Sequence, residues 1–133
     1  MDRRDSTERG RTVQNTINWF EIFVADLPRA QRFYEALLEA PMKTETFNGE
    51  PHAIFLAEGL KGALVKREAR RPSADGALVY LNCDARLDAV LSRVPAAGGR
   101  VLVPKTNIGD PGHIAVIADS EGNAVGLHEA RRA

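Results

Sequence analysis

From Ile17 to Val24 apolar and polar side chains alternate, with Phe20, Ile22 and Val24 on one face and Trp19, Glu21 and Phe23 on the other. That period of two predicts a strand with one buried side. At Asp26 the period changes. Leu27, Ala30, Phe33, Tyr34, Leu37 and Leu38 recur at helical spacing, which predicts an amphipathic helix with Asp26 as its N-cap and Pro41 just past its end. Asn48-Gly49 is a hairpin turn signal between strands near 42–47 and 52–57. A further strand near 63–66 follows the turn at Glu58-Gly59. The order is strand, helix, three strands.

Residues 67–76 are charged, carry a proline and read as a linker, after which the pattern restarts. Val79, Leu81 and Cys83 share one strand face; Leu78, Tyr80 and Asn82 share the other. Leu87, Val90, Leu91 and Val94 mark a second helix, weakened by Pro95 and ended by Gly98-Gly99. Strands near 100–104, 114–118 and 124–128 follow, the last two joined by the turn from Ser120 to Asn123. The chain therefore divides into a polar tail (1–14, expected to be mobile), a first βαβββ module (15–66), the linker, and a second βαβββ module (77–130). The repeat predicts an α+β fold. Each sheet has a helix on one face and turns the other toward a cavity or a second subunit.

The charge balance narrows the partners. The 133 residues hold 18 basic and 18 acidic side chains, so no broad positive field is present for nucleic acid or an anionic membrane. No apolar run approaches the roughly 18 residues of a membrane span. The N-terminal arginines are not followed by the apolar stretch of a secretory signal. The single cysteine, Cys83, cannot form an internal disulfide. It fits a reducing, cytoplasmic setting.

Two phrases carry a resemblance: VADLPRAQRFYEALL in the first module and GHIAVIADSEGNAVGLH in the second, supported by AAGGRVLVPKT. With this element order the chain resembles the vicinal oxygen chelate superfamily of glyoxalase I, fosfomycin- and bleomycin-resistance proteins and extradiol dioxygenases, over about residues 17–129. The resemblance implies paired βαβββ modules in a glyoxalase-like fold, a curved mixed sheet around a ligand cavity, and often a homodimer. It also implies metal ligands, His, Gln or Glu, on the first and last strands of each module. Those positions fall here on Trp19, Leu78 and Gly126, and within residues 62–65, which hold no ligand-type side chain. Trp, Leu and Gly side chains cannot hold a divalent cation. The expectation is thus no metal cofactor, unless the register is shifted.

Two residues beyond each lost ligand sits a polar group: Glu21, Tyr80 and His128. Pseudo-two-fold modules would carry Glu21 and Tyr80 apart and leave Tyr80 beside His128, which suits a polar cavity lining better than a displaced metal site. Glu21 is either an arginine-paired or solvent-reaching carboxylate, or a desolvated general base of raised pKa. His128 is either structural or its catalytic partner. Tyr80 and Asn82 are placed to hydrogen-bond a ligand or each other. Trp19 and Phe23 give an aromatic wall. His113 is kept as a loop residue at the cavity mouth, and His52 is expected to be solvated. Cys83 is read as buried and inert, and Lys105 as a surface lysine.

Three functional readings stand. One is a metal-independent homodimer binding a small organic molecule. A second is a glyoxalase-type lyase or isomerase, acting through a metal or through Glu21 as base. The third is an accessory domain with a filled cavity.

Overall fold

The computed structural model describes residues 15–131; the tail expected over 1–14 lies outside them. Two four-stranded mixed sheets, each with one helix, make the glyoxalase-like α+β fold. The first module contains β1 (Trp19–Phe23), α1 (Leu27–Leu38), β2 (Met42–Phe47), β3 (Glu50–Phe55) and β4 (Lys61–Val65). Its strand order is β1-β4-β3-β2, with β1 parallel to β4 and the other pairs antiparallel. The second contains β5 (Tyr80–Asn82), α2 (Leu87–Ala97), β6 (Arg100–Asn107), β7 (His113–Ala118) and β8 (Ala124–Glu129), in the same pattern, β5-β8-β7-β6. None of the helices among the described residues is long and apolar enough to cross a membrane.

Local chemistry explains the boundaries. Asp26 caps α1 by accepting the Arg29 N–H at 3.0 Å. Asn48 and Gly49 take positive φ angles of 51° and 80° in the β2–β3 hairpin, the conformation a two-residue turn of matching twist requires. β6 runs past the predicted end at 104 to Asn107. Pro104 is tolerated because β6 is an edge strand, whose pairing with β7 is interrupted on either side of Val103. Conversely, β5 is shorter than the alternation from Leu78 to Cys83 predicts.

One apolar core serves both modules. Ile22, Val24, Phe33, Tyr34 and Leu37 pack with Leu81, Cys83, Val90, Ile117 and Leu127. These are the helix-side faces the alternation assigns. Cys83 is fully covered, and burial pushes its thiol up to about 11.

The modules are joined by the turn between β7 and β8. Asp119 is buried and accepts four hydrogen bonds: from the Tyr34 hydroxyl (2.7 Å), Asn123 Nδ2 (3.0 Å), and the backbone N–H groups of Glu121 (2.8 Å) and Asn123 (2.9 Å). Tyr34 belongs to α1 of the other module. Asn123 Nδ2 also donates to the Phe23 carbonyl at 2.9 Å. Glu121 accepts from the backbone N–H groups of Ala25 (3.0 Å) and Asp26 (2.9 Å) and pairs with Arg29 at 2.7 Å.

Glu121 thus meets the N-terminal end of α1, where backbone N–H groups lack intrahelical partners. Burial raises its pKa, but hydrogen bonds from Arg29, the Asp26 N–H, Ser120 and the Ala25 N–H outweigh that and leave the carboxyl at about 2.

Two measurements test this clamp. Tyr34→Phe is expected to cost about 1.5–3 kcal/mol, the scale for a hydrogen bond to a charged group. Asp119→Ala is expected to cost more, because several buried donors lose their acceptor at once; urea denaturation midpoints would show both. Glu121 is bound tighter as the carboxylate. Its contribution should be complete above about pH 4.5 and lost as pH falls toward 2. Glu121→Gln should flatten the fall of the unfolding midpoint over that window.

Candidate functional site

Each sheet has a face turned away from its helix, and the two faces are built differently. Hydrogen bonding fixes how they correspond. The Val24 N–H donates to the Val65 carbonyl, and the Cys83 N–H donates to the His128 carbonyl. Counting back along each strand pairs Glu21 with Tyr80 and Trp19 with Leu78. The extra residue before α2 is absorbed at Ala85, which takes φ 62°. Gly126 corresponds to Ala63.

On the first sheet a polar network occupies part of the face turned away from the helix. Glu21 pairs with Arg67 at 2.9 Å, accepts the Trp19 indole N–H at 3.3 Å and lies 3.8 Å from His52 Nε2. Arg67 also reaches Glu50 at 3.1 Å. Burial raises the Glu21 pKa, but its bonds to Arg67 and Trp19 and the Arg67 and His52 charges pull it below the ordinary carboxyl range. A general base of raised pKa is therefore not what this site builds; Glu21 is the arginine-paired carboxylate.

His52 is only 4% exposed, contrary to the solvated histidine expected from its place after the hairpin. Its Nδ1 lies 2.9 Å from the Glu50 carbonyl, and its ring meets Phe47 edge-on. Its own hairpin covers it on one side, and β4 pairs beside it at Val65.

On the second sheet the face is open. A cavity of about 540 Å³ is walled by Tyr80, Asn82, Asp84, Ile108, Ile114 and His128. A neighbouring cavity of about 580 Å³ between the modules shares Tyr80, Leu81 and Asn82 with it. Asn82 lies opposite His128 in the parallel β5–β8 pair, and Tyr80 lies opposite Gly126. Any side chain on Gly126 would collide with the Tyr80 ring; the ring covers that glycine and remains 47% exposed on its other side.

His128 Nε2 lies 2.7 Å from the Pro111 carbonyl, which can only accept, so Nε2 carries a proton and Nδ1 is the ring nitrogen left for a ligand. Asn82 Oδ1 accepts the Asp84 N–H at 2.8 Å, leaving the amide N–H groups as donors. An open cavity with apolar walls thus holds a phenol, an amide, an imidazole and the Asp84 carboxylate, the composition of a small-molecule pocket.

The structure gathers Tyr80, Asn82 and His128 here and places Trp19, Glu21 and Phe23 elsewhere. Glu21 and Phe23 line a different cavity. His113 is the first residue of β7, opposite Glu129, rather than a loop residue ahead of the strand. Lys105 pairs with Asp88 at 3.2 Å on the surface. The sequence did not point to Ile108 or Asp84 as lining residues. Ile108 lay beyond the strand predicted there, and Asp84 lay between the predicted strand and helix.

The family's metal positions do not fit an ion. The Trp19 indole is spent on Glu21, Leu78 is a hydrocarbon, Ala63 offers no donor and the Gly126 position lies under Tyr80. Among the described residues no group of three His, Cys, Asp or Glu side chains is arranged to hold a metal.

A family model described as "Glyoxalase/Bleomycin resistance protein/Dioxygenase superfamily" matches residues 16–127. The chain is 31% identical over 131 residues to the glyoxylase-designated protein CFP32 of Mycobacterium bovis, and equally to that of Mycobacterium tuberculosis. The alignment covers 94% of this chain and 49% of each relative, so the chain spans about half the length of the curated relatives it matches. The fold is shared with a glyoxalase/bleomycin resistance protein from Albidiferax ferrireducens (TM-score 0.72, 16% identity, 88% of this chain and 100% of that one). It is shared also with the fosfomycin resistance protein FosX from Listeria monocytogenes (TM-score 0.64, 15% identity, 91% and 95%).

The contact between Tyr80 and Gly126 has a measurable consequence. Gly126→Ala should force the ring off the strand and destabilise the fold, by about 1–3 kcal/mol on the scale of overpacking. In a Tyr80→Ala background the same change should cost almost nothing, and a double-mutant cycle by thermal unfolding reads the coupling.

Proposed function

We propose that this chain, which belongs to the Glyoxalase/Bleomycin resistance protein/Dioxygenase superfamily, binds a small, largely apolar organic molecule on the open face of its second sheet, without the family's usual metal. The observation that carries the reading is Tyr80 laid over Gly126 in an open cavity beside Asn82 and His128. Its exposed ring offers a flat apolar surface. Asn82 supplies amide donors, and His128 Nδ1 supplies an acceptor at the polar end of the ligand.

The working unit of this reading is a homodimer. Trp19, Leu56, Leu60 and Leu78 are large apolar side chains exposed in the single chain. A second copy would cover such surface. It would also bring the assembly to about the length of the mycobacterial relatives.

A catalytic reading draws on one feature, the His128 tautomer. With Nε2–H held by Pro111, Nδ1 is available to take a proton from a bound substrate. Glu21 is unsuited to that part, being tied to Arg67 in another cavity.

The test combines metal content and ligand binding. Tag-free protein is incubated with nickel, manganese or iron(II), desalted and assayed by elemental mass spectrometry, then screened against an aromatic fragment library by NMR. Well under one equivalent of metal is expected, together with saturable shifts at β5 and β8 amides. Tyr80→Ala should weaken the best fragments about tenfold, or roughly 1.4 kcal/mol. About one retained equivalent of metal, or fragments that ignore this face, would overturn the reading.

A further inference from the structure

Phe23 carries two guanidinium groups against its ring: Arg67 Cζ lies 5.6 Å from the centroid and Arg70 Cζ 5.9 Å. Their charges are treated differently. Arg67 is balanced by Glu21 at 2.9 Å and Glu50 at 3.1 Å. Among the described residues, neither Arg70 nor Arg71 has a carboxylate within ion-pair distance. A cation held on a ring near a second cation, with no counter-charge among the described residues, is a preformed receptor for an anion.

The surroundings are those of a site. Arg70 and Arg71 line a cavity of about 560 Å³ where β1, the start of β8 and the segment after β4 meet, with Phe23, Val79 and Val125 among its apolar walls. The segment carrying the two arginines is pinned at both ends. The Arg70 N–H donates to the Arg67 carbonyl at 3.0 Å, and the Ser73 N–H to Asn123 Oδ1 at 2.8 Å. Pinning lowers the entropy lost when a ligand engages the guanidiniums. Of the two acidic side chains in the lining, Glu21 shares the Arg67 guanidinium with Glu50, and Asp75 has no ion-pair partner among the described residues. Carboxylates this near the two arginines favour a monoanion over a dianion. No lining residue is shared with the cavity beside His128.

We propose that this junction between the modules binds a small organic monocarboxylate. Arg70 and Arg71 take the carboxylate, and Phe23, Val79 and Val125 cover its apolar body. The guanidinium fork matches a carboxylate in a way an ammonium does not.

The experiment is an amide NMR titration of the full chain at fixed ionic strength, with sodium benzoate as probe, benzamide as its neutral isostere and inorganic phosphate as the dianion control. Expected are saturable benzoate shifts at Phe23, residues 69–77 and residues 123–125, no matching response to benzamide, and weaker binding of phosphate. The double variant Arg70→Gln/Arg71→Gln should bind benzoate at least tenfold more weakly with little change in Tm. Arg70→Lys, which keeps the charge and loses the planar fork, should weaken it several-fold and serves if the double variant fails to fold. Tyr80→Ala should leave benzoate binding here intact, so failure of this site and failure of the β5–β8 cavity are separable. The proposal is overturned by non-saturating shifts, by equal binding of benzamide or phosphate, or by benzoate affinity that survives both arginine variants.

Discussion

The buried carboxylate of Asp119 holds the two modules in one register. Four hydrogen bonds converge on it, one of them from Tyr34 of the opposite module. A buried carboxylate without such partners would cost several kcal/mol, so the modules cannot slide without orphaning it. Glu121, two residues on, reaches the start of α1 and occupies the anion site that any helix N-terminus offers. Asn123 then ties the turn to Phe23 of β1 and to Ser73 of the connecting segment. The Asp119-Ser120-Glu121-Gly122-Asn123 stretch is a mechanical joint between the modules.

The joint sets two similar surfaces to different ends. Position by position, Glu21 on the first sheet matches Tyr80 on the second. Glu21 holds Arg67, which also reaches Glu50, and accepts the Trp19 indole N–H, so charge occupies this part of its face. Tyr80 settles over Gly126 and leaves its face open. A glycine is required under the ring for a steric reason: a side chain there would need the volume the ring fills.

Periodicity made much of this legible. Alternation placed Phe20, Ile22, Val24, Leu81 and Cys83 on the helix side, where all are buried or packed against the core. It placed Tyr80, Asn82 and His128 together on the open side, where they line one cavity. Asp26, Asn48-Gly49 and Gly98 marked caps and turns because their chemistry is local. These features depend on neighbours a few residues away, which a linear reading contains.

The sequence by itself therefore determined the repeated βαβββ order, the face each strand buries and the absence of donor side chains at the family's metal positions. The tertiary structure alone decided that His52 is buried, that Glu21 is held by an arginine instead of poised as a base, and that Trp19 and Phe23 wall no common cavity with Tyr80. The Glu21 contact rests on a partner from far along the chain, Arg67, 46 residues away, as does the docking of the Ala25 N–H on Glu121, 96 away. Ion pairs and hydrogen bonds act over a few ångströms of space, and local periodicity carries no record of which distant residue will fill that space.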